Sequence, residues 1–176
     1  MATTTTSETS KKLSRLFAVM IVVGLIMALF GYFGPFVKPT GTSFDSGSTI
    51  SKLGTINEAM EKDNGSHLKG YAPLKFFVTA TFILGIVTIV WFVLLCILYI
   101  DNPELIYLVI GALTFIAAVL VFIFSCVVLS NYKTPVATAT YKLGYGAIFL
   151  PIGGVLLGGG TAGKAFTTPK IEVLHG

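Results

Sequence analysis

The chain has 176 residues and a formal net charge of +4; 54% of its residues are hydrophobic and only 11% are charged. Because soluble domains carry about 25% charged residues, this composition excludes a soluble globular protein and indicates a membrane protein. The twelve lysines and arginines are spread over all polar segments, so no basic patch predicts binding to nucleic acid.

The N-terminal tail, residues 1–15, is rich in threonine and serine and has no apolar periodicity, so we expect it to be disordered. Lys11, Lys12 and Arg15 lie directly before the first apolar run. Under the positive-inside rule they place the N-terminus in the cytoplasm, although this topology leaves more lysines on the opposite side. With an even number of spans, the C-terminal tail, residues 164–176, is also cytoplasmic, and the protein is expected in the plasma membrane or an endomembrane.

Four apolar runs contain no Asp, Glu, Lys, Arg or His: residues 16–37, 76–100, 105–129 and 143–163. Each is longer than the roughly 18 residues that mark a membrane-spanning helix. Only residues 101–104 join the second run to the third, and so short a link forces the two helices to run antiparallel. The sequence therefore predicts an all-α polytopic membrane protein, an antiparallel bundle of four transmembrane helices.

The long loop, residues 38–75, connects the first two spans on the outer side in this topology. Thr55 and Glu58 form a capping box, in which each side chain binds a main-chain N–H near the helix start. This pattern predicts a short helix over residues 56–62 that ends before Gly65.

The same loop carries an N-glycosylation sequon, Asn64-Gly65-Ser66. If the loop faces the outer side, Asn64 is a candidate for glycosylation. Such triplets also occur by chance, so the unmodified residue is an equal alternative.

Near the end of the fourth run, residues 158–165 read GGGTAGKA, which resembles a phosphate-binding P-loop. Ala165 follows Lys164, at the position where a P-loop has the serine or threonine that binds Mg²⁺. The preceding residues form a candidate span rather than a buried strand. We therefore predict no nucleotide binding and no cofactor.

Small residues recur at helical spacing in every span, which offers another explanation for the glycines. In lipid, small residues let helix backbones approach closely. The predicted packing residues are Gly24, Ala28 and Gly31 in the first span, Gly85 in the second, Gly111 in the third, and Gly154, Gly158, Gly159 and Gly163 in the fourth. We expect them to pack the bundle internally; the alternative is that one glycine face docks another membrane protein or a second copy.

The sequence lacks the groupings that carry catalysis or metal binding. Its two histidines, His67 and His175, lie in separate polar segments, and no metal-ligand spacing occurs. We therefore expect no enzyme activity, and instead a structural or accessory subunit that contacts lipid and other membrane proteins or itself. The alternative is a small homo-oligomeric channel or carrier. The polar residues available to line its pore are Thr81, Thr88, Thr114 and Ser125.

In topology the predicted protein resembles four-span proteins of the claudin and peripheral-myelin type, with cytoplasmic termini, a larger first outer loop and a smaller second one. It is equally similar to four-span vesicle proteins of the MARVEL type. The claudin signature in the first loop, a tryptophan within Gly-Leu-Trp and two cysteines, is absent, and the single tryptophan, Trp91, lies in the second span. The resemblance implies a shared topology and no site residues.

Overall fold

The computed structural model describes residues 8–40, 47–97, 103–132 and 140–167. These residues form five helices and two short strands. In chain order they are α1 (Glu8–Phe33), β1 (Val37–Pro39), α2 (Ile50–Asn64), α3 (Tyr71–Ile97), α4 (Glu104–Asn131), β2 (Tyr141–Leu143) and α5 (Gly146–Thr167). Four of them, α1, α3, α4 and α5, are long and apolar enough to span a membrane, which confirms the predicted helical membrane protein.

The first spanning helix, α1, is displaced toward the N-terminus relative to the apolar run at 16–37. It begins at Glu8, so residues 8–15 are helical and the expectation that they are disordered is wrong. Glu8 lies in the first turn, where a carboxylate interacts favourably with the helix dipole. The helix ends at Phe33, because Pro35 lacks an N–H and disfavours helical backbone in the residue before it.

A two-stranded antiparallel ribbon joins two loops that are far apart in the chain. Val37 of β1 pairs with Leu143 of β2, and the Val37 carbonyl also accepts a hydrogen bond of 2.7 Å from the Ser48 N–H. Val37 and Leu143, which the apolar runs assign to spans, therefore lie in strands, and α5 begins only at Gly146. Strands of three residues are too short to show an alternating pattern, so the sequence does not reveal them.

The loop helix α2 begins earlier than the predicted helix over residues 56–62. Thr49 is its N-cap, and the Thr49 hydroxyl accepts a hydrogen bond of 3.4 Å from a main-chain N–H of the first turn. Thr55, the predicted cap, lies inside the helix and its hydroxyl donates to the Ser51 carbonyl, so that assignment is wrong. The earlier start adds a turn whose apolar side chain, Leu53, is fully buried.

The C-terminal end of α2 matches the prediction. The helix ends at Asn64, and Gly65 closes it in the left-handed conformation, with φ of 64° and its N–H donating to the Glu61 carbonyl. The chain then turns back, and the Leu68 N–H donates to the side-chain oxygen of Asn57 at 2.8 Å. This contact fixes the segment between α2 and α3.

Among the spanning helices, α5 lies between α1 and α4 and packs along both. The remaining helix, α3, packs mainly against α4 and makes few contacts with α1 or α5. In the most apolar window of α5, 61% of the residues are buried, against 22–33% in the other three helices. The helix richest in glycine is therefore the central one.

One end of the helices is covered by α2 and the ribbon, and we call it the capped end. There α1 and α4 finish and α3 and α5 begin; the opposite end is the open end. The fully buried side chains that pack together at the capped end include Phe36, Leu53, Leu74, Val78 and Leu150. Large side chains thus form the core at the capped end, whereas glycine contacts dominate farther along α5.

Candidate functional site

The interface between α1 and α5 is formed by backbone contact. A β-carbon built on Gly24 would lie 2.5 Å from the Leu157 nitrogen and 2.6 Å from the Gly153 carbonyl oxygen. A β-carbon on Gly153 would meet the nitrogen of Ala28, which is itself buried. Since real β-carbons do not come so close to backbone atoms, only glycine allows this approach.

The same interface continues toward both ends of α5. At the capped end, a β-carbon on Gly31 would collide with the backbone of Leu150. At the open end, one on Gly160 would lie 2.9 Å from the Phe17 carbonyl oxygen, and one on Gly163 would meet the Phe17 ring. Residue numbers rise along α1 as they fall along α5 in these pairs.

A second interface of the same kind joins α5 to α4. A β-carbon on Gly111 would lie 2.6 Å from the Gly158 carbonyl oxygen, and one on Gly158 would lie 2.7 Å from both the Gly111 oxygen and the Phe115 nitrogen. A β-carbon on Gly154 would lie 2.5 Å from the methyl group of Ala118. α5 therefore contacts a neighbouring backbone on each of two sides.

Two of the predicted packing residues have ordinary surroundings instead. The nearest neighbour of a β-carbon on Gly85 would be a Leu157 methyl at 3.6 Å, and that of a β-carbon on Gly159 would be the Met20 methyl at 3.7 Å. Both are normal van der Waals distances. Gly159 and Gly163 consequently do not act as an equivalent pair, although their spacing suggests it.

The hydroxyls proposed to line a pore all lie inside the chain. Thr81, Thr88, Thr114 and Ser125 are at most 1% exposed. Each hydroxyl donates to the carbonyl four residues earlier in its own helix, at 2.7–2.8 Å. Buried and internally bonded, they are not on an outer face where copies of the chain would share them.

The segment that resembles a P-loop is helical. α5 continues without a break through Gly158 and Lys164 to Thr167, whereas a P-loop presents main-chain N–H groups that are free to bind phosphate. The ammonium group of Lys164 donates a hydrogen bond of 2.8 Å to the Ser14 hydroxyl of α1. The sequence resemblance thus corresponds to a helix end that is tied to α1.

The remaining candidate groups lie apart from one another. Among the described residues, no three His, Cys, Asp or Glu side chains come together as a metal site would require. The Nδ1 atom of His67 lies 3.8 Å from the Oε2 atom of Glu61, and both side chains are exposed at the capped end. Asn64 of the sequon is the last residue of α2, and His175 lies outside the described residues.

The close backbone contacts therefore lie on two faces of α5, one toward α1 and one toward α4. Reading the sequence identifies most of the glycines, but not which neighbour each one meets; Gly146, Gly153 and Gly160 also make close contacts that regular spacing did not single out.

Comparison with protein-family models, with curated proteins and with solved structures finds no match to this chain.

Proposed function

We propose that the protein is a non-enzymatic structural or accessory subunit of a membrane assembly. In this proposal its four spans form an antiparallel bundle, both termini face the cytoplasm and the capped end faces the outer side. The observation that carries the proposal is the position of α5, whose backbone contacts α1 on one side and α4 on the other.

Such contacts favour a rigid unit. Lipid provides no hydrophobic drive for helices to associate, so association depends on close packing and on weak Cα–H···O contacts between backbones. Close packing and Cα–H···O contacts both require helices that stay at fixed positions. Glycine allows such an approach with no side-chain entropy to lose. A rigid unit whose helices are fixed by backbone contacts suits a protein that holds a partner in place.

The same contacts change where a partner would bind. Because the close-packing glycines of α5 face α1 and α4, they support internal packing rather than docking of a second protein on α5. A partner helix would instead meet large aliphatic side chains. We assign this role to α3, which is held mainly by α4 and exposes Ile86, Val90 and Leu94 at four-residue spacing along one face.

The experiment is extraction from the native membrane in mild detergent, followed by measurement of the mass and composition of the complex. We expect co-purification with other membrane proteins at fixed stoichiometry. Val90→Trp should release the partner, because its added bulk separates the helices, whereas Val109→Trp on α4 should not. Val109→Trp is the matched control, because the Val109 side chain is 48% exposed and that of Val90 is 50% exposed.

The opposite outcome would support the alternative. If the protein travels only as copies of itself and transports a solute in liposomes, it is a channel or carrier and the proposal fails. The buried, internally bonded hydroxyls of the spans argue against that alternative.

A further inference from the structure

A groove of about 460 Å³ lies between α1 and α3, in the half of the molecule nearer the open end. The two helices make few contacts with each other. The apolar lining of the groove includes Ala18, Val22 and Leu25 of α1 and Ile89 and Phe92 of α3. Beyond Leu25 and Ile89, toward the capped end, the space between the helices falls to about 30 Å³. The groove therefore ends there, and we call it the open-end groove.

The open-end groove lies within the depth of one membrane leaflet. The part of α1 without charge, residues 16–33, is about 26 Å long at 1.5 Å per residue. Ala18 lies near the open end of this part, and Leu25 lies about 10 Å farther along, near its middle. One leaflet of the hydrocarbon core is about 15 Å deep, half of a bilayer's roughly 30 Å. A lipid chain of the leaflet at the open end therefore runs alongside the groove for most of its length.

The groove opens sideways toward lipid and is narrow. Val22 on its α1 rim is 56% exposed, and Val93 on its α3 rim is 51% exposed. A chain thus enters from the bilayer without separating packed helices. A helix with its side chains is at least about 10 Å wide, so two turns of it occupy roughly 800 Å³, more than the groove holds. A single acyl chain, one methylene wide, is the better fit.

The mouth of the groove carries a positive charge. Lys164, in the last turn of α5, contributes to its lining, and the ammonium group of this lysine donates a hydrogen bond of 2.8 Å to the Ser14 hydroxyl. Ser14 lies one turn before Ala18 on the same face of α1. The hydrogen bond therefore holds the ammonium group where the apolar lining ends.

The charged residues around this mouth are mainly basic. Lys11 and Arg15 lie on the face of α1 that continues through Ser14 to the groove. Among the described residues, the open end carries four basic side chains and two acidic ones: Lys11, Lys12, Arg15, Lys164, Glu8 and Glu104. Both acidic residues lie in the first turn of a helix, where the helix dipole partly offsets their charge. The mouth therefore attracts an anionic group.

We propose that the open-end groove binds a phospholipid with an anionic headgroup. One acyl chain lies along Ala18, Val22 and Leu25, and the headgroup lies at Lys164, close to the positive charges of Lys11 and Arg15. The apolar lining and the basic mouth together match an anionic amphiphile, whereas an apolar helix would leave the mouth without a counter-charge. The site goes beyond the structural role proposed above and requires no protein partner. In the orientation proposed there, the lipid belongs to the cytoplasmic leaflet, where anionic phospholipids are concentrated; this assignment of the leaflet alone rests on that proposal.

The first test concerns the headgroup. The full-length protein is stripped of lipid by prolonged detergent exchange and titrated with phosphatidylglycerol or with phosphatidylcholine of the same acyl chains. Native mass spectrometry counts the bound lipid. We expect one phosphatidylglycerol per chain, bound about tenfold more tightly than the zwitterionic phosphatidylcholine, because hydrogen bonds between ions of opposite charge are the stronger ones.

Variants of Lys164 separate its charge from its bulk. Lys164→Gln should lower the affinity for phosphatidylglycerol to that for phosphatidylcholine and leave the latter unchanged. Lys164→Arg keeps the charge and should keep the preference. Lys62→Gln, an exposed change on α2 at the capped end, is the control and should bind as the parent does. Equal affinities of the parent for the two lipids, or an unaffected Lys164→Gln variant, would overturn the proposal.

The second test concerns the acyl chain. Val22→Trp should fill the groove and weaken binding of both lipids, which distinguishes it from Lys164→Gln. Val23→Trp is the control, because residue 23 is turned about 100° around the helix, does not line the groove and is also exposed, at 41%. Since both valines are exposed, the lipid-free variants should melt at the temperature of the parent.

Two results of the second test would contradict the proposal. Binding by Val22→Trp equal to that of the parent would show that no chain lies in the groove. Dimerisation of the lipid-free protein that Val22→Trp abolishes would assign the groove to a second copy of the chain. If Val22→Trp does not fold, the two Lys164 variants still decide the proposal. All these measurements use the isolated chain, so their outcome is independent of whether the protein holds a protein partner.

Discussion

Gly24 of α1 and Gly153 of α5 face each other so closely that neither position has room for a β-carbon. A β-carbon on either residue would lie 2.6 Å from the carbonyl oxygen of the other. Their Cα–H groups thus approach carbonyl acceptors, an arrangement that contributes about 0.5–1 kcal/mol per contact. Because lipid provides no hydrophobic drive for helix association, repeated contacts of this kind contribute to holding α1 on α5.

We expect Gly153→Ala to destabilise the protein by about 1–3 kcal/mol, the usual effect of overpacking a close contact. The added methyl group would meet backbone atoms of α1, which can move only if the whole helix moves. The measurement is the unfolding free energy in detergent, by denaturant titration or by melting temperature.

Gly159→Ala is the matched control on the same helix. Its methyl group would lie 3.7 Å from the end of the Met20 side chain, and alanine favours helix over glycine by about 1 kcal/mol. This variant should be as stable as the parent or more so. Equal losses of stability in the two variants would contradict the packing described here.

A second prediction concerns the buried hydroxyls of Thr88 and Thr114. Each is bonded to a carbonyl of its own helix, so replacing both with valine should cost about 0.5–1.5 kcal/mol per hydrogen bond lost. Ion flux through liposomes should be at background for parent and variant alike. Flux in the parent that the valines alter would restore the channel interpretation.

The spanning helices were predictable from the sequence because a membrane imposes a simple rule. A run of more than about 18 residues without charge is long enough to cross the membrane, and a helix satisfies its main-chain hydrogen bonds there. The sequence predicts Gly24, Gly31, Gly111, Gly154 and Gly158 as packing residues for a similar reason, since small side chains at helical spacing favour close approach, and a β-carbon at each of these positions would lie within about 2.7 Å of an atom of a neighbouring helix.

Other features depend on which segments meet in space, and local patterns do not contain that information. The ribbon pairs Val37 with Leu143 across most of the chain. The start of α2 was missed because Thr49 and Thr55 are both acceptable caps, and the burial of Leu53 decides between them. Gly85 of α3 meets only side-chain atoms, of Leu157 and Leu25, because α3 packs mainly on α4 rather than on α1 or α5.

A third prediction concerns the hydrogen bond between Lys164 and Ser14, which ties the end of α5 to the start of α1 at the open end. Ser14→Ala should speed amide hydrogen exchange in residues 12–14, whose N–H groups bond within the first turns of α1, by about tenfold or more, since a hydrogen bond to a charged group contributes about 1.5–3 kcal/mol. Lys11→Ala, at an exposed position on the same turns of α1, should leave exchange unchanged.

ATP binding should be undetectable in the parent and in the Lys164→Ala variant. ATP binding by the parent that this substitution abolished would support the P-loop interpretation.

The fourth prediction follows from the register of the ribbon, in which Lys38 lies directly opposite Lys142. Like charges at such a position destabilise a strand pair, and opposite charges stabilise it by about 0.2–1 kcal/mol. Lys142→Glu should therefore raise the melting temperature at low salt, and by more than Lys142→Gln, which only removes the repulsion. At 1 M salt the Debye length falls to about 3 Å, so the difference between the two variants should shrink. A glutamate variant that is no more stable than the glutamine variant at low salt would mean that the side chains of residues 38 and 142 do not interact across the ribbon.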